Sequence, residues 1–436
     1  MVDPQPDIEP YLEAAAQKAM RITHIFETHV QADHVSGARR LAAATGAPVL
    51  FHESADVRFP HVDLEDGEEH EMGNVHMTIL HTPGHTPDSV SIVVSDRSRA
   101  PEPWFVLTGD TLFSGGVGRP DLLGAGAETA LAEQLYDSVF GKLMKLPDHI
   151  EIFPAHFGGA ACGKGLSGKP GSTIGFERRF NRLLRLDDEN EFVRELTADL
   201  APQPPNFKRI VELNRGPLLE DAPALDGVAP HRVQELLDSG ATLLDGRPPR
   251  EFDAQHVPGS VNVTMARSAV GTRAAWVVDP ESDVVVIAET DAEARRMGRL
   301  LEAVGLRRLA GYLAGGVNAW QEAGLETGST PAIDVHELAD RIKNDSVALL
   351  DVREEDEWQQ GHVEGSIHVP YHELREGAPA SLRLTERECV VVCSVGNRSS
   401  IAASLLRRSG VDNVIHVADG GVADLEKEGI PLVEGK

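Results

Sequence analysis

Cys393 is the residue in this sequence that is best placed to act as a nucleophile. It ends the apolar run CVVVC at 389–393 and opens the loop CSVGNRS, and an amphipathic helix is predicted after that loop, over 399–410. A glycine-containing loop between a strand and a helix N-terminus points several backbone N–H groups at one place, which favours an anion there. We therefore expect a nucleophilic thiolate at Cys393, and the same loop would stabilise a persulfide on that sulfur. The residues expected to cradle the persulfide are Ser394, Val395, Gly396 and Asn397.

A second group of residues could bind a metal ion. Imidazole and carboxylate side chains lie next to short β-type runs at several points in the first third of the chain, and loops at strand ends are where α/β proteins usually build sites. The segment THVQADH at 28–34 holds three of them. The candidate ligands are His29, Asp33, His34, His85, Asp110 and His156.

The chain has only two other cysteines, Cys162 and Cys389. So low a count does not indicate a disulfide framework and favours a reducing compartment, which we expect to be the cytoplasm. Cys389 begins the strand that leads to Cys393 and is expected to be a core residue.

The elements that must position Cys393 occur twice along the chain. The segment LLDGRPPREFDAQHVPGSVNV at 243–263 matches LLDVREEDEWQQGHVEGSIHV at 349–369. Each copy spans about 105 residues, a common domain size, and alternates β-branched runs with amphipathic stretches. This alternation predicts a parallel sheet with helices in each copy.

The first copy lacks the nucleophile. Ala288 stands opposite Cys393, and Glu289 and Asp291 follow it in the loop AETDAEA. Because alanine cannot carry sulfur and the acidic groups would repel an anion, we interpret this copy as an inactive spacer or docking module.

The first 200 residues or so are not a third copy. Short runs such as HMTILHT and WFVLTGD predict strands, and stretches such as SGARRLAAATG predict helices. The proline-rich segment at 201–227 is predicted to be a tail and a linker.

Composition excludes several classes of protein. The chain has 436 residues, enough for about three domains, and a formal net charge of −28. Nucleic acids and anionic membranes need a basic partner surface, so we expect neither as a partner. We also find no apolar run of about 18 residues and no basic and apolar leader at the N-terminus, so we expect no membrane span or signal peptide.

The entry segment LLDVRE…GHVEGSIHVP and the loop from Cys393 to Arg398 resemble the rhodanese family of sulfurtransferases. This resemblance covers about residues 331–436 and implies that Arg398 and the loop amides bind anions. The ordered histidines and aspartates near the N-terminus resemble the metallo-β-lactamase superfamily over about 1–220. Members usually carry a strand pair ahead of the segment that starts here at Val2, which leaves the edge of the first sheet open to question.

Together the resemblances imply an α/β protein of three domains in series. We expect an αββα metallo-β-lactamase fold with a linker at 1–222, an inactive rhodanese-like domain at 223–330 and an active rhodanese domain at 331–436. Both rhodanese-like domains are expected to have parallel sheets.

Gln31 is the informative departure from the superfamily pattern. The usual first motif is HxHxDH, and Gln31 replaces its second histidine. What remains is His29, His85 and Asp110, the two-histidine, one-carboxylate set of mononuclear non-haem iron(II) oxygenases. The sequence thus resembles the persulfide dioxygenase branch, which implies one Fe(II) and oxidation of a small thiol persulfide by dioxygen to sulfite.

Sulfite would then accept sulfur from Cys393 and give thiosulfate, a route of sulfide detoxification. The residues expected around the iron, without binding it, are Gln31, Asp33, His34, His156 and Cys162.

Several alternatives stay open at this point. Asp33, His34 and His156 could hold a second metal with Asp110, as in a dinuclear zinc thioester hydrolase of glyoxalase II type. The metal domain could also be a non-catalytic scaffold for the sulfur carrier. Arg119 could hold a carboxylate of the thiol carrier or form a structural ion pair, and Cys162 could relay sulfur or simply pack. A homo-oligomer is possible.

Overall fold

The computed structural model describes residues 1–124, 126–157, 163, 166–198, 200–217, 225–265, 269–379, 382 and 387–435. The chain divides into two compact units. One unit comprises Met1–Asp221 with Ala303–Gly305, and the other comprises Ala222–Glu302 with Leu306–Lys436.

The first unit contains nine strands and six helices among its described residues. The strands are β1 (Ile25–Phe26), β2 (Val49–His52), β3 (Val62–Leu64), β4 (Glu69–Met72), β5 (Val75–His81), β6 (Val90–Asp96), β7 (Phe105–Gly109), β8 (Glu151–Pro154) and β9 (Ser172–Thr173). The helices are α1 (Glu9–Gln17), α2 (Ala38–Thr45), α3 (Glu128–Tyr136), α4 (Ile174–Phe180), α5 (Glu189–Thr197) and α6 (Phe207–Arg215).

Two sheets form the centre of this unit. The smaller has the order β1-β2-β3 with parallel pairing. The larger has the order β4-β5-β6-β7-β8-β9 and is antiparallel except between β7 and β8.

Alternating side chains of the strands build the layers on either side of each sheet. Phe26 and Leu50 of the smaller sheet pack with Ile79 and Ile92 of the larger one, between the two sheets. Their neighbours point the other way because side chains alternate along a strand. Ile25 and Val49 pack against Leu41 of α2, whereas Val93 and Val106 pack against Leu135 of α3 and Phe192 of α5. The resulting order of layers is helix, sheet, sheet, helix, as predicted.

The second unit contains two successive α/β repeats. The first has strands β10 (Gly227–Val228), β11 (Thr242–Asp245), β12 (Val261–Asn262), β13 (Val284–Ile287) and β14 (Leu309–Leu313), and helices α7 (Pro230–Asp238), α8 (Pro249–Ala254), α9 (Val270–Val277), α10 (Asp291–Ala303) and α11 (Gly316–Glu322). The second has strands β15 (Ala332–Asp334), β16 (Val347–Asp351), β17 (His362–Val363), β18 (Ile367–His368), β19 (Glu388–Val392), β20 (Val414–Asp419) and β21 (Leu432–Val433), and helices α12 (Val335–Lys343), α13 (Glu355–Gln360) and α14 (Asn397–Arg408).

Both repeats have the parallel sheet that the sequence predicted. The strand orders are β10-β14-β13-β11-β12 and β15-β20-β19-β16-β18, and every pair within them is parallel. In the second repeat, β17 and β21 form a separate antiparallel pair. Helix α14 begins at Asn397, two residues earlier than predicted, directly after Gly396 at φ 89°.

The shared Asp and Arg of the two repeats have a structural role. Arg353 donates to both carboxylate oxygens of Asp351, and its Nη2 lies 2.8 Å from the carbonyl oxygen of Gly361. Arg247 makes the equivalent contacts with Asp245 in the first repeat. Since the first repeat retains this pair but has Ala288 in place of Cys393, the pair supports the fold that the two repeats share.

Helix α6 corrects one prediction, because it lies in the segment expected to be tail and linker. Its buried residues Phe207, Ile210 and Asn214 follow one face of a helix at a spacing of three and four residues. Prolines before and after this stretch hid its amphipathic pattern.

Candidate functional site

Three of the predicted ligands converge in the first unit. His29 follows β1, His85 lies between β5 and β6, and Asp110 directly follows β7, so each side chain stands at a strand end. The Nε2 atoms of His29 and His85 lie 3.9 Å and 3.4 Å from Oδ2 of Asp110. All three side chains are completely buried.

The hydrogen bonds of these histidines leave one nitrogen of each open. Nδ1 of His29 donates to Oγ1 of Thr28 at 3.0 Å, and Nδ1 of His85 donates to the carbonyl oxygen of Arg119 at 2.9 Å. Each Nε2 is buried without a hydrogen-bond partner in the described part of the chain. A buried nitrogen left unpaired costs free energy, whereas a cation at this place would engage both nitrogens and the carboxylate. The residues therefore fit a metal ion.

The electrostatics give each group the protonation state of a ligand. Burial lowers the pKa of His29 to about 3 and also lowers the pKa of His85. Burial alone would raise the pKa of Asp110, but His156 and the other two histidines outweigh it and lower that pKa to about 2. Neutral imidazoles and an ionised carboxylate are the forms that bind metals.

Asp33, His34 and His156 form a second group beside the first. Asp33 accepts from His34 Nδ1 at 3.0 Å and from His156 Nε2 at 2.7 Å. His156 also donates through Nδ1 to Asp110 at 2.7 Å, so it links the two groups. Burial would lower the pKa of His156, but Asp110 and Asp33 raise it well above its usual range. The donor atoms of this second group also lie within 4.8 Å of one another.

Residues that the sequence analysis did not single out hold the loop after β1. Asp3 accepts from both the backbone N–H and the hydroxyl of Thr28, which in turn accepts from His29. Asn214 of α6 donates to the carbonyl oxygens of Gln31 and His34. These contacts join positions far apart in the sequence, so no local pattern announces them.

The remaining predicted residues of this region are placed as follows. Gln31 is buried, and its amide interacts with the buried carboxyl group of Glu27. Arg119 is buried, with Nε 2.7 Å from Asp121 and Nη2 2.5 Å from the carbonyl oxygen of Ala201. That geometry favours a structural ion pair, and a role of Arg119 in substrate binding stays a prediction. Cys162 lies outside the described residues.

In the second unit, Cys393 directly follows β19 and opens the short loop that leads to α14, as predicted. Its sulfur is 3.2 Å from the backbone nitrogen of Gly396, which donates to it, and 3.3 Å from Oγ of Ser399. The side-chain amide nitrogen of Asn397 is buried and unpaired within the described residues, while Val395 is exposed at the loop surface. The loop thus surrounds the sulfur with N–H and O–H donors.

Glu357 of α13 accompanies Arg398 at this loop. The guanidinium of Arg398 contacts both carboxylate oxygens of Glu357, and Ser394 donates to the same carboxylate at 2.8 Å. Burial would raise the pKa of Glu357, but Arg398 lowers it to about 2. Glu357 was not predicted as a site residue because it stands in the acidic run EEDEW, which is typical of a solvated helix surface.

The other positions of the two repeats differ from this loop. Cys389 lies in β19, and burial raises the pKa of its thiol to about 12, which agrees with the predicted core role. In the first repeat, Glu289 beside Ala288 lies against Glu251, and a hydrogen bond from that carboxyl group raises the pKa of Glu289. An acidic pair therefore occupies the place of the anion cradle.

Comparison with known proteins agrees with this division. Residues 1–156 match the metallo-beta-lactamase superfamily, and residues 229–323 and 334–428 each match the rhodanese-like domain. The mitochondrial persulfide dioxygenase of Bos taurus is 32% identical over 217 residues, which cover 48% of this chain and 76% of the relative. The chain belongs to the metallo-β-lactamase superfamily. It is a fusion of that fold with two rhodanese-like domains, which confirms the predicted architecture.

Other superfamily members are similar over shorter or longer spans. The hydroxyacylglutathione hydrolase of Methylococcus capsulatus is 36% identical over 149 residues, 34% of this chain and 53% of that relative. A solved metallo-beta-lactamase from Staphylococcus aureus is 25% identical with a TM-score of 0.62, covering 72% of this chain and 90% of its own. Within the described residues, no helix is long and apolar enough to cross a membrane.

Proposed function

We propose that the first domain, within residues 1–222, oxidises a low-molecular-weight persulfide with dioxygen and releases sulfite. The observation that carries this proposal is the convergence of His29, His85 and Asp110, with two buried Nε2 atoms left open. Two imidazoles and one carboxylate on one face are typical of mononuclear non-haem iron sites. These three side chains would hold a ferrous ion, which would supply the activation of dioxygen for the oxidation of sulfur.

The overall reaction consumes one persulfide, one dioxygen and one water, and it yields one thiol and one sulfite. The outer sulfur atom loses four electrons, and dioxygen takes up those four electrons. Gln31 supports this reaction because an amide replaces the imidazole that would fill a further coordination position. His156, held between Asp110 and Asp33, would orient the carboxylate and hold a water molecule with its neighbours.

We further propose that the domain at 331–436 converts that sulfite into thiosulfate. The thiolate of Cys393 attacks the outer sulfur of a second persulfide, the S–S bond breaks, and the thiol leaves with the proton. Sulfite then attacks the outer sulfur of the persulfide on Cys393, which releases thiosulfate and restores the thiolate. The N–H of Gly396 and the hydroxyl of Ser399 stabilise the sulfur anion, and Arg398 attracts sulfite. The domain at 223–330 has no thiol at the matching position.

Oxygen consumption by iron-loaded protein with glutathione persulfide tests the proposal, with sulfite and thiosulfate measured in parallel. We expect oxygen uptake, its loss in Asp110→Ala, and unchanged uptake in the control His149→Gln, whose side chain is exposed. Cys393→Ser should release sulfite in place of thiosulfate. Absence of oxygen uptake in the iron-loaded wild type would contradict the dioxygenase, and unchanged thiosulfate in Cys393→Ser would contradict the coupling.

The alternative is a dinuclear zinc thioester hydrolase fused to a sulfurtransferase. The second donor group of Asp33, His34 and His156, and the similarity to a hydroxyacylglutathione hydrolase, favour it. Metal analysis separates the two functions: two zinc ions per chain, with cleavage of a glutathione thioester and no oxygen uptake, would establish the hydrolase.

A further inference from the structure

A chain of hydrogen bonds connects the inactive rhodanese-like domain to the sulfur of Cys393. We propose that Asp253, on α8 of the inactive domain, is a positioning residue for sulfur transfer by Cys393 and acts through His416 and Ser399. The inference rests on the proposed sulfur transfer and adds a role for the domain that carries no thiol.

The geometry runs without a break from one domain to the other. Nδ1 of His416, on β20, lies 2.7 Å from Oδ2 of Asp253. Nε2 of His416 lies 3.1 Å from Oγ of Ser399, and that oxygen lies 3.3 Å from the sulfur of Cys393. His416 and Ser399 are fully buried and only 4% of the Asp253 side chain is exposed, so water does not compete for these bonds.

The partners of His416 fix which atoms carry hydrogen. Nε2 also lies 2.9 Å from the carbonyl oxygen of Gly396, which only accepts, so Nε2 carries a hydrogen. Nδ1 faces the carboxylate of Asp253, which holds the ring in this orientation. Ser399 lies between Nε2 of that ring and the sulfur of Cys393, so a displaced ring would leave its hydroxyl less well aimed at a sulfur anion.

The two repeats divide these groups between them. The positions that match Cys393, Ser399 and His416 in the first repeat are Ala288, Ala294 and Gly311, at a constant offset of 105. Conversely, Asp253 matches Gln359 in the second repeat, at the offset of 106 found for that segment. Only the pairing of the two domains assembles the complete chain from carboxylate to sulfur.

A second contact between the same two domains serves as a control for a purely structural role of Asp253. Asn262 accepts from Ser400 at 2.6 Å, and its backbone nitrogen donates to Ser404 at 3.2 Å. These bonds join the domains through α14 without reaching Cys393. Asn262→Ala is therefore the matched control for loosening of the interface. The other charged pair at the loop, Arg398 with Glu357, is unchanged in both variants.

The experiment measures the rate at which iodoacetamide alkylates Cys393 in the full chain as a function of pH, read by mass spectrometry of its peptide. Asp253→Asn keeps the shape and removes the carboxylate that holds the His416 ring. Because Ser399 then donates less well to the thiolate, we expect the midpoint of the Cys393 profile to rise by about one pH unit, which lowers the thiolate fraction below the midpoint about tenfold. Turnover of thiosulfate with cyanide should fall by a similar factor at unchanged KM, and Asp253→Glu should restore part of it.

Ser399→Ala removes the hydroxyl beside the sulfur of Cys393 and should raise the midpoint of the alkylation profile as well. This variant tests the inference if Asp253→Asn does not fold. A profile of folded Asp253→Asn that superimposes on the wild type would overturn the inference, as would an equal shift in Asn262→Ala. Alkylation needs neither persulfide oxidation nor sulfite. If the proposed function is wrong but the inference is right, no thiosulfate forms, and the alkylation profile of Cys393 is still shifted in Asp253→Asn.

Discussion

His156 lies between two carboxylates, with Nδ1 2.7 Å from Oδ1 of Asp110 and Nε2 2.7 Å from Oδ2 of Asp33. Burial would lower its pKa, but Asp110 and Asp33 raise that pKa well above the usual range, and its two nitrogens already engage oxygens that a second metal ion would need. Oδ2 of Asp110 faces the open nitrogens of His29 and His85 instead. In the proposed mononuclear site, Asp110 would bind the metal ion through one oxygen and His156 through the other.

His156→Gln tests that division. We expect the variant to retain about one iron per chain and to lose activity by a factor of about 10 to 100, because Asp110 loses the group that orients it. Metal analysis and oxygen uptake are the measurements, with His149→Gln as an exposed control. If the wild type holds two metal ions and His156→Gln holds one, the mononuclear assignment is wrong.

Glu357 predicts a pH dependence of stability in the second unit. Its pKa falls from 4.5 to about 2 in the folded chain, so its contribution is complete above about pH 4.5 and is lost as the pH falls through about 2. Because 32% of the Glu357 side chain is exposed, solvent screens part of this interaction, and Glu357→Gln should lower the free energy of unfolding by about 1 to 2 kcal/mol at pH 7.

Urea unfolding of wild type and Glu357→Gln between pH 7 and pH 3 measures this difference, which should shrink toward the acid end. Glu364→Gln, at an exposed position in the same repeat, is the control. A difference that stays constant with pH would show that the ion pair with Arg398 is not its source.

What the sequence could predict depends on how local each feature is. The Cys393 loop was predictable because strand, glycine and helix follow one another within a few residues. The same holds for the order of ligands from His29 to Asp110, each beside its own strand. The contacts of Asp3 and Asn214 were not predictable, because each reaches the loop after β1 from a distant part of the chain. Nor could one sequence show that the side chains of Asp253 and His416, 163 residues apart, are joined by a hydrogen bond.

Gly118 packs tightly against Asp110 and His85, two of the predicted metal ligands. A Cβ atom there would lie 2.1 Å from the carbonyl oxygen of Asp110 and 2.9 Å from Cβ of His85. Gly118→Ala should therefore displace both ligands, destabilise the first unit by about 1 to 3 kcal/mol and reduce bound metal. Thermal unfolding and metal analysis check this. Gly141→Ala, where a Cβ meets no atom within 4 Å, should behave like the wild type; full metal content in Gly118→Ala would refute the argument.

Gln31→His tests whether this site differs from the dinuclear sites of the superfamily. Gln31 is buried in the loop after β1, two residues from the predicted ligand His29. An imidazole at this position supplies the ligand that the HxHxDH pattern contains, and a filled coordination position leaves less room for persulfide and dioxygen together. We expect Gln31→His to bind zinc in preference to iron and to lose at least about 90% of its persulfide-dependent oxygen uptake. Gln31→Met, of similar volume but without an imidazole, should keep iron and most of the uptake. Equal uptake in Gln31→His and the wild type would mean that residue 31 does not determine the chemistry of the site.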